Sequence, residues 1–334
     1  MARGTPPQEH PMGGGRWPLA PEARSPETAP MIPAAYEPLV APARIRPSLW
    51  RLALGVLLIA LLWTLGGVAV FVGAGLLLAP EPGQPLAQEL AAGETARATL
   101  VLLATFFGLF AAPFLAARWI HARRPPRLIG PLPRALRHFG LGMGVVLAVY
   151  AANLAIWAAI YDSAPGLPPA AWLSLLPLVI ALLLVQTGAE ELAFRGYLQS
   201  QLAARFASPL VWMVIPSLLF GAMHVRGDVH PGTLAVILVQ VTLFGLIAAD
   251  LTARTGSLGA AWGIHFANNF VALALLSVPG SLSGVTLRLS PYGLDVPPPL
   301  PIVALDVATL GLVWVALTRL LPRTGALAGI RTGD

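Results

Sequence analysis

The chain has 334 residues, 56% of them hydrophobic and only 11% charged, and its apolar stretches from about residue 52 onward are too long for a soluble core, so the sequence reads as an all-α polytopic membrane protein. All 21 basic residues are arginine and the net charge is +6; they fall in short segments between apolar spans, where they orient the chain and meet anionic lipid, and no nucleic-acid partner is expected. The absence of cysteine excludes disulfides, thiolate nucleophiles and thiolate metal sites, which leaves carboxylate, imidazole and hydroxyl groups for any catalysis.

Residues 1–47 are rich in Pro, Gly, Ala and charge, with no hydrophobic periodicity and no short apolar core of a cleavable signal peptide, which predicts a disordered cytoplasmic N-terminal tail. A transmembrane domain over 48–322 follows, with apolar segments at roughly 52–79, 98–118, 139–161, 172–203, 209–225, 232–253, 257–278 and 300–321, a bundle of about eight helices. Residues 323–334 are then a cytoplasmic C-terminal tail. Arginines load the tail and every second loop, at Arg44, Arg46 and Arg51, then Arg118, Arg123, Arg124, Arg127, Arg134 and Arg137, then Arg205, Arg254, Arg319, Arg323 and Arg331. The alternate loops are acidic or nearly uncharged, with Glu81, Glu89 and Glu94, then Asp162, then Arg226 and Asp228, then Arg288 and Asp295. By the positive-inside rule both termini are expected in the cytoplasm, in a bacterial cytoplasmic membrane. No internal repeat is visible, which counts against inverted-repeat transporters.

The fourth segment reads LLLVQTGAEELAFRGYL over 182–198. Ionisable groups at membrane depth cost about 3 kcal/mol or more each, so Glu190, Glu191 and Arg195 are expected to be used. Positions four apart share a helix face, so Glu191 pairs with Arg195, acid before base, and Glu190 is left without a local cation and suited to proton transfer. In the fifth segment Phe220 and His224 share a face. His224 lies as far beyond Pro209 as Glu190 lies before Arg205, so a hairpin brings the two to one depth. The seventh contains GIHFANNFVAL, with His265 and Asn269 on one face and Asn268 turned away. Asp250 and Asp306 stand alone in sequence and read as structural or interfacial. One carboxylate and two histidines, Glu190, His224 and His265, also have the composition of an open three-ligand zinc site, although no H-E-x-x-H occurs.

Taken in order, E-E-x-x-x-R at Glu190 to Arg195, F-x-x-x-H at Phe220 to His224 and H-x-x-x-N at His265 to Asn269 resemble the signature motifs of the CPBP family of intramembrane proteases. This family comprises the type II CAAX prenyl endopeptidases and the bacterial bacteriocin-processing and immunity (Abi) proteins. The resemblance covers residues 172–278 and leaves the N-terminal tail outside it. It implies peptide-bond hydrolysis within the membrane on a membrane-associated peptide or protein. Glu190 would be the general base, His224 would help hold the water, His265 and Asn269 would form the oxyanion hole, and Glu191, Arg195 and Phe220 would support them. It favours no required metal, with zinc the alternative. Two competing readings are a proton- or cation-coupled transporter and a non-catalytic membrane scaffold or immunity protein. Substrate identity and oligomeric state are not encoded in any motif.

Overall fold

The computed structural model describes Met1, residues 32–78 and residues 85–321. We number its main helices in chain order: α1 is Leu49–Leu77, α2 Ala96–Trp119, α3 Leu132–Ile160, α4 Pro169–Ala203, α5 Leu210–Ala222, α6 Pro231–Thr255, α7 Gly259–Phe270 and α8 Leu300–Leu320. They answer to the expected segments, and six of them are long and apolar enough to cross a membrane. The chain is therefore an integral multi-pass membrane protein, and the expected eight spans divide into six long helices and two short ones.

The short ones are α5 and α7, which carry the histidine motifs. At about 1.5 Å per residue neither crosses a hydrocarbon core of about 30 Å. Wide π turns extend or interrupt the helices of this region: Leu192–Gln199 inside α4, Leu210–Val214 opening α5 and Val271–Leu275 continuing α7. Such turns concentrate where a helix must aim side chains that a regular α-helix would not.

Lipid explains the pattern of exposure. On α1 the exposed side chains Leu57, Leu61, Leu65, Val68 and Val72 form one stripe, while Leu52, Gly55, Ile59, Gly67 and Ala74 are buried. Helices in lipid gain nothing from hiding leucine, so they associate where small residues permit close contact. That is how α3 and α7 meet: a Cβ at Gly259 would sit 2.0 Å from Ala135 O, and one at Gly263 would sit 2.2 Å from Phe139 O. Between α1 and α2, a Cβ on Gly66 would lie 2.7 Å from Gly108 Cα. Three two-residue strands, β1 Ala164–Pro165, β2 Leu276–Ser277 and β3 Arg288–Leu289, form a small sheet with β3 central, antiparallel to β1 and parallel to β2. It ties the α3–α4 connection to the α7–α8 connection.

The tail expected to be disordered over 1–47 is ordered in its last part. Short helices Ala34–Tyr36, Glu37–Val40 and Ala41–Ile45 follow one another, and Tyr36, Leu39 and Val40 are fully buried. Tyr36 packs on Trp212 of α5 with ring centroids 5.7 Å apart. Pro38 and Pro42 fall in the first turns of their helices, where a missing N–H costs nothing, so the proline content that argued for disorder starts helices instead. Residues 2–31 and the expected C-terminal tail over 323–334 lie outside the described residues.

Candidate active site

α4 delivers two carboxylates and a guanidinium. Glu191 and Arg195 are buried, and Arg195 Nη1 donates to Glu191 Oε1 at 3.1 Å while Nη2 donates to Gly245 O of α6 at 3.3 Å. The guanidinium lies 4.5 Å from the centroid of the Phe220 ring, a cation–π contact that gives the phenylalanine of the second motif its place. Phe220 also stacks edge-on to His224 and to His265, at centroid distances of 5.1 and 5.9 Å. The expected acid–base pair is thus present, and Phe220 is the apolar hub around which the charged groups turn.

His265 sits between the two glutamates. Its Nδ1 is 2.8 Å from Glu191 Oε1 and its Nε2 is 3.2 Å from Glu190 Oε2, but only the first contact has hydrogen-bond geometry. With Glu191 ionised beside Arg195, Nδ1 is the donor, and any proton at Nε2 makes the ring cationic. Phe244 flanks the ring at 5.0 Å and closes its apolar side. Among the described residues His224 makes no side-chain hydrogen bond; its Nδ1 is 2.9 Å from Phe220 O one turn back, so this nitrogen donates and Nε2 is left as an acceptor.

Glu190, His224, His265 and Asn269 line one cavity of about 450 Å³. The hairpin expectation for Glu190 and His224 agrees with this arrangement. Asn268, expected to turn away, lines the same cavity: it accepts from Tyr150 OH at 2.8 Å and donates to Asn269 Oδ1 at 3.2 Å. The two amides are neighbours in regular α7, about 100° apart, and the cavity is broad enough to be lined by both. Asn269 Nδ2 in turn donates to Gln186 Oε1 at 2.9 Å. Gln186 was legible in principle, since it lies one turn before Glu190 on the same face; Tyr150 was not, because α3 carries no polar pattern to single it out.

Among the described residues no group of three or more His, Asp or Glu side chains is placed to hold a metal ion.

The three motifs thus meet around one cavity, brought there by α4, α5 and its following turn, and α7. Residues 172–271 match the family model described as type II CAAX prenyl endopeptidase Rce1-like, so the region that carries all three motifs is Rce1-like, in keeping with the resemblance to the CPBP endopeptidases. Over 110 residues the chain is 30% identical to the uncharacterized protein YyaK of Bacillus subtilis (strain 168), covering 33% of this chain and 37% of that relative. The chain thus spans little more than a third of the curated relative it matches. No solved structure matches it.

Proposed function

We propose that the protein is an intramembrane endopeptidase acting on a membrane-associated peptide or protein, with Glu190 as general base. The observation that carries this reading is that the Glu190 carboxylate shares one cavity with His224, His265 and Asn269, three groups able to bind water or an oxyanion. A water held by His224 Nε2 loses a proton to Glu190 as its oxygen attacks the carbonyl carbon. The resulting oxyanion takes hydrogen bonds from His265 Nε2–H and Asn269 Nδ2–H, each donor worth about 3 kcal/mol in comparable sites. Glu190 then returns the proton to the leaving amine as the C–N bond breaks. Glu191, anchored by Arg195, stabilises the cationic ring that this role requires.

Membrane walls supply the low dielectric in which such donors act strongly. The arginine-rich ends of α2, α4, α6 and α8 support a topology with both termini in the cytoplasm, and since the chain has no cysteine single introduced cysteines report side by labelling without background. The decisive experiment is turnover by purified variants. Glu190→Ala and, separately, His224→Ala are expected to abolish cleavage of membrane-associated peptides while the protein stays folded. Retained turnover in Glu190→Ala would sink the mechanism.

A further inference from the structure

Asp306 is the intramembrane acid that the proposed hydrolysis leaves unused. It stands in the second turn of α8 and lines the same cavity as Glu190, His224 and His265. Its Oδ2 accepts from Gln240 Nε2 of α6 at 3.2 Å, and among the described residues no arginine or histidine forms an ion pair with it. Asp250 marks the contrast. That acid is bound by Arg254 Nε at 2.6 Å and Trp314 Nε1 at 2.8 Å, a structural role complete within the fold.

A carboxylate in a membrane span is costly, and such groups face a cavity and meet a counter-charge. Asp306 has the cavity, and among the described residues no side chain forms an ion pair with it. The lining contains two acids, Glu190 and Asp306, and no arginine. Two polar pairs border the cavity: Asn153 Nδ2 donates to Thr309 Oγ1 at 2.5 Å, and Tyr150 OH donates to Asn268 at 2.8 Å.

The geometry points to Asp306, oriented by Gln240, as a subsite for a cationic group of the substrate, an arginine or lysine side chain near the bond that the Glu190-activated water attacks. The inference rests on the peptidase reading for the word substrate, and on the cavity alone for the cation. A charge-assisted hydrogen bond at such a site contributes about 1.5–3 kcal/mol, which corresponds to a preference of about ten- to a hundredfold.

The test uses apolar peptides of about 20 residues in which one arginine is walked along the chain, each compared with a counterpart carrying glutamine there. Wild-type protein is expected to show, at one arginine position, a kcat/KM at least about tenfold above the glutamine peptide. In Asp306→Asn that ratio falls to about one; Asp306→Glu keeps it, and Asp306→Lys turns it in favour of a glutamate peptide. A ratio that survives Asp306→Asn overturns the proposal. Binding of the same peptides, fluorescently labelled, to the Glu190→Ala protein separates the two readings. If nothing is cut but arginine peptides bind in an Asp306-dependent way, the hydrolysis fails and the cation subsite stands. Equal binding of arginine and glutamine peptides at every position removes the subsite.

Discussion

The 2.8 Å hydrogen bond between His265 Nδ1 and Glu191 Oε1 joins α7 to α4 through the same oxygen that receives Arg195. One carboxylate thereby sets the ring of a proposed oxyanion donor and neutralises a buried guanidinium. The two duties can be separated.

Glu191→Ala strands Arg195 in the bundle with a single backbone acceptor, Gly245 O. Breaking a buried pair by removing one partner costs about 3–5 kcal/mol, so a large fall in melting temperature in detergent is expected, with loss of turnover. The double variant Glu191→Gln with Arg195→Met removes both charges and is expected to regain most of the stability without regaining turnover. Recovery of turnover in that variant would mean that Glu191 serves only the ion pair.

The contact of α3 with α7 sets where His265 and Asn269 stand. A Cβ at Gly263 would lie 2.2 Å from Phe139 O, a backbone atom that can move only with its helix, whereas one at Gly75 on α1 meets nothing within 4 Å. Overpacking of this kind costs about 1–3 kcal/mol. Gly263→Ala is expected to lower both thermal stability and turnover, and Gly75→Ala to lower neither. Thermal unfolding and peptide cleavage measured on the two variants check this; normal turnover in Gly263→Ala would show that α7 tolerates displacement.

The Glu191–Arg195 pair, the meeting of Glu190 and His224 in one cavity, and the position of the three motifs on the fourth, fifth and seventh segments could all be read from spacing, because helical period acts within one segment or across one hairpin. The link from His265 to Glu191 could not, since it depends on how α7 packs on α4 and on the glycines that allow it. Helix length misled for α5 and α7: apolar composition continues past their ends, into the turn carrying His224 and into the strand at Leu276. The tail was misread for another reason. Tyr36, Leu39 and Val40 are too few to form a periodic pattern, yet they fill a groove against α5 and the α2–α3 connection.

That groove is latched by Arg123. Fully buried, it donates to Ser200 Oγ at 2.7 Å, Leu39 O at 2.8 Å and Arg127 O at 2.9 Å, so one side chain binds the N-terminal helices to the end of α4. Burial pushes its guanidinium down to about 10, still well above neutrality, so the latch is cationic at pH 7. In Arg123→Ala, hydrogen exchange of amides in 34–45 is expected to accelerate by about tenfold or more, the loss of one hydrogen bond to a charged group, while amides of α8 are unaffected. Unchanged exchange in 34–45 would show that apolar burial alone holds the segment.

His121 gives the same region a pH dependence. Its Nδ1 lies 2.9 Å from Arg46 O, a carbonyl that can only accept, so Nε2 at 2.8 Å takes the proton of Tyr197 OH on α4. This is the neutral tautomer. Burial holds the imidazole below its ordinary value of 6.5, outweighing the bond to Arg46 O that acts to raise it, and the charges of Arg123, Arg51 and Arg46 add to the lowering. The unfolded chain therefore binds this proton first as pH falls, and stability is full above 6.5 and declines below it until the folded ring also protonates. Glu89 and Asp228, held low by hydrogen bonds from Arg97 and Arg226, lose their contributions only below about their ordinary 4.5 and 3.8. The interval between about pH 6.5 and 5 thus lies above the range of those two carboxylates. Over that interval the melting temperature of the wild type is expected to fall more steeply than that of His121→Gln, whose amide can still donate to Arg46 O and accept from Tyr197 but does not titrate. Parallel curves for the two proteins would show that His121 takes no part in the acid response.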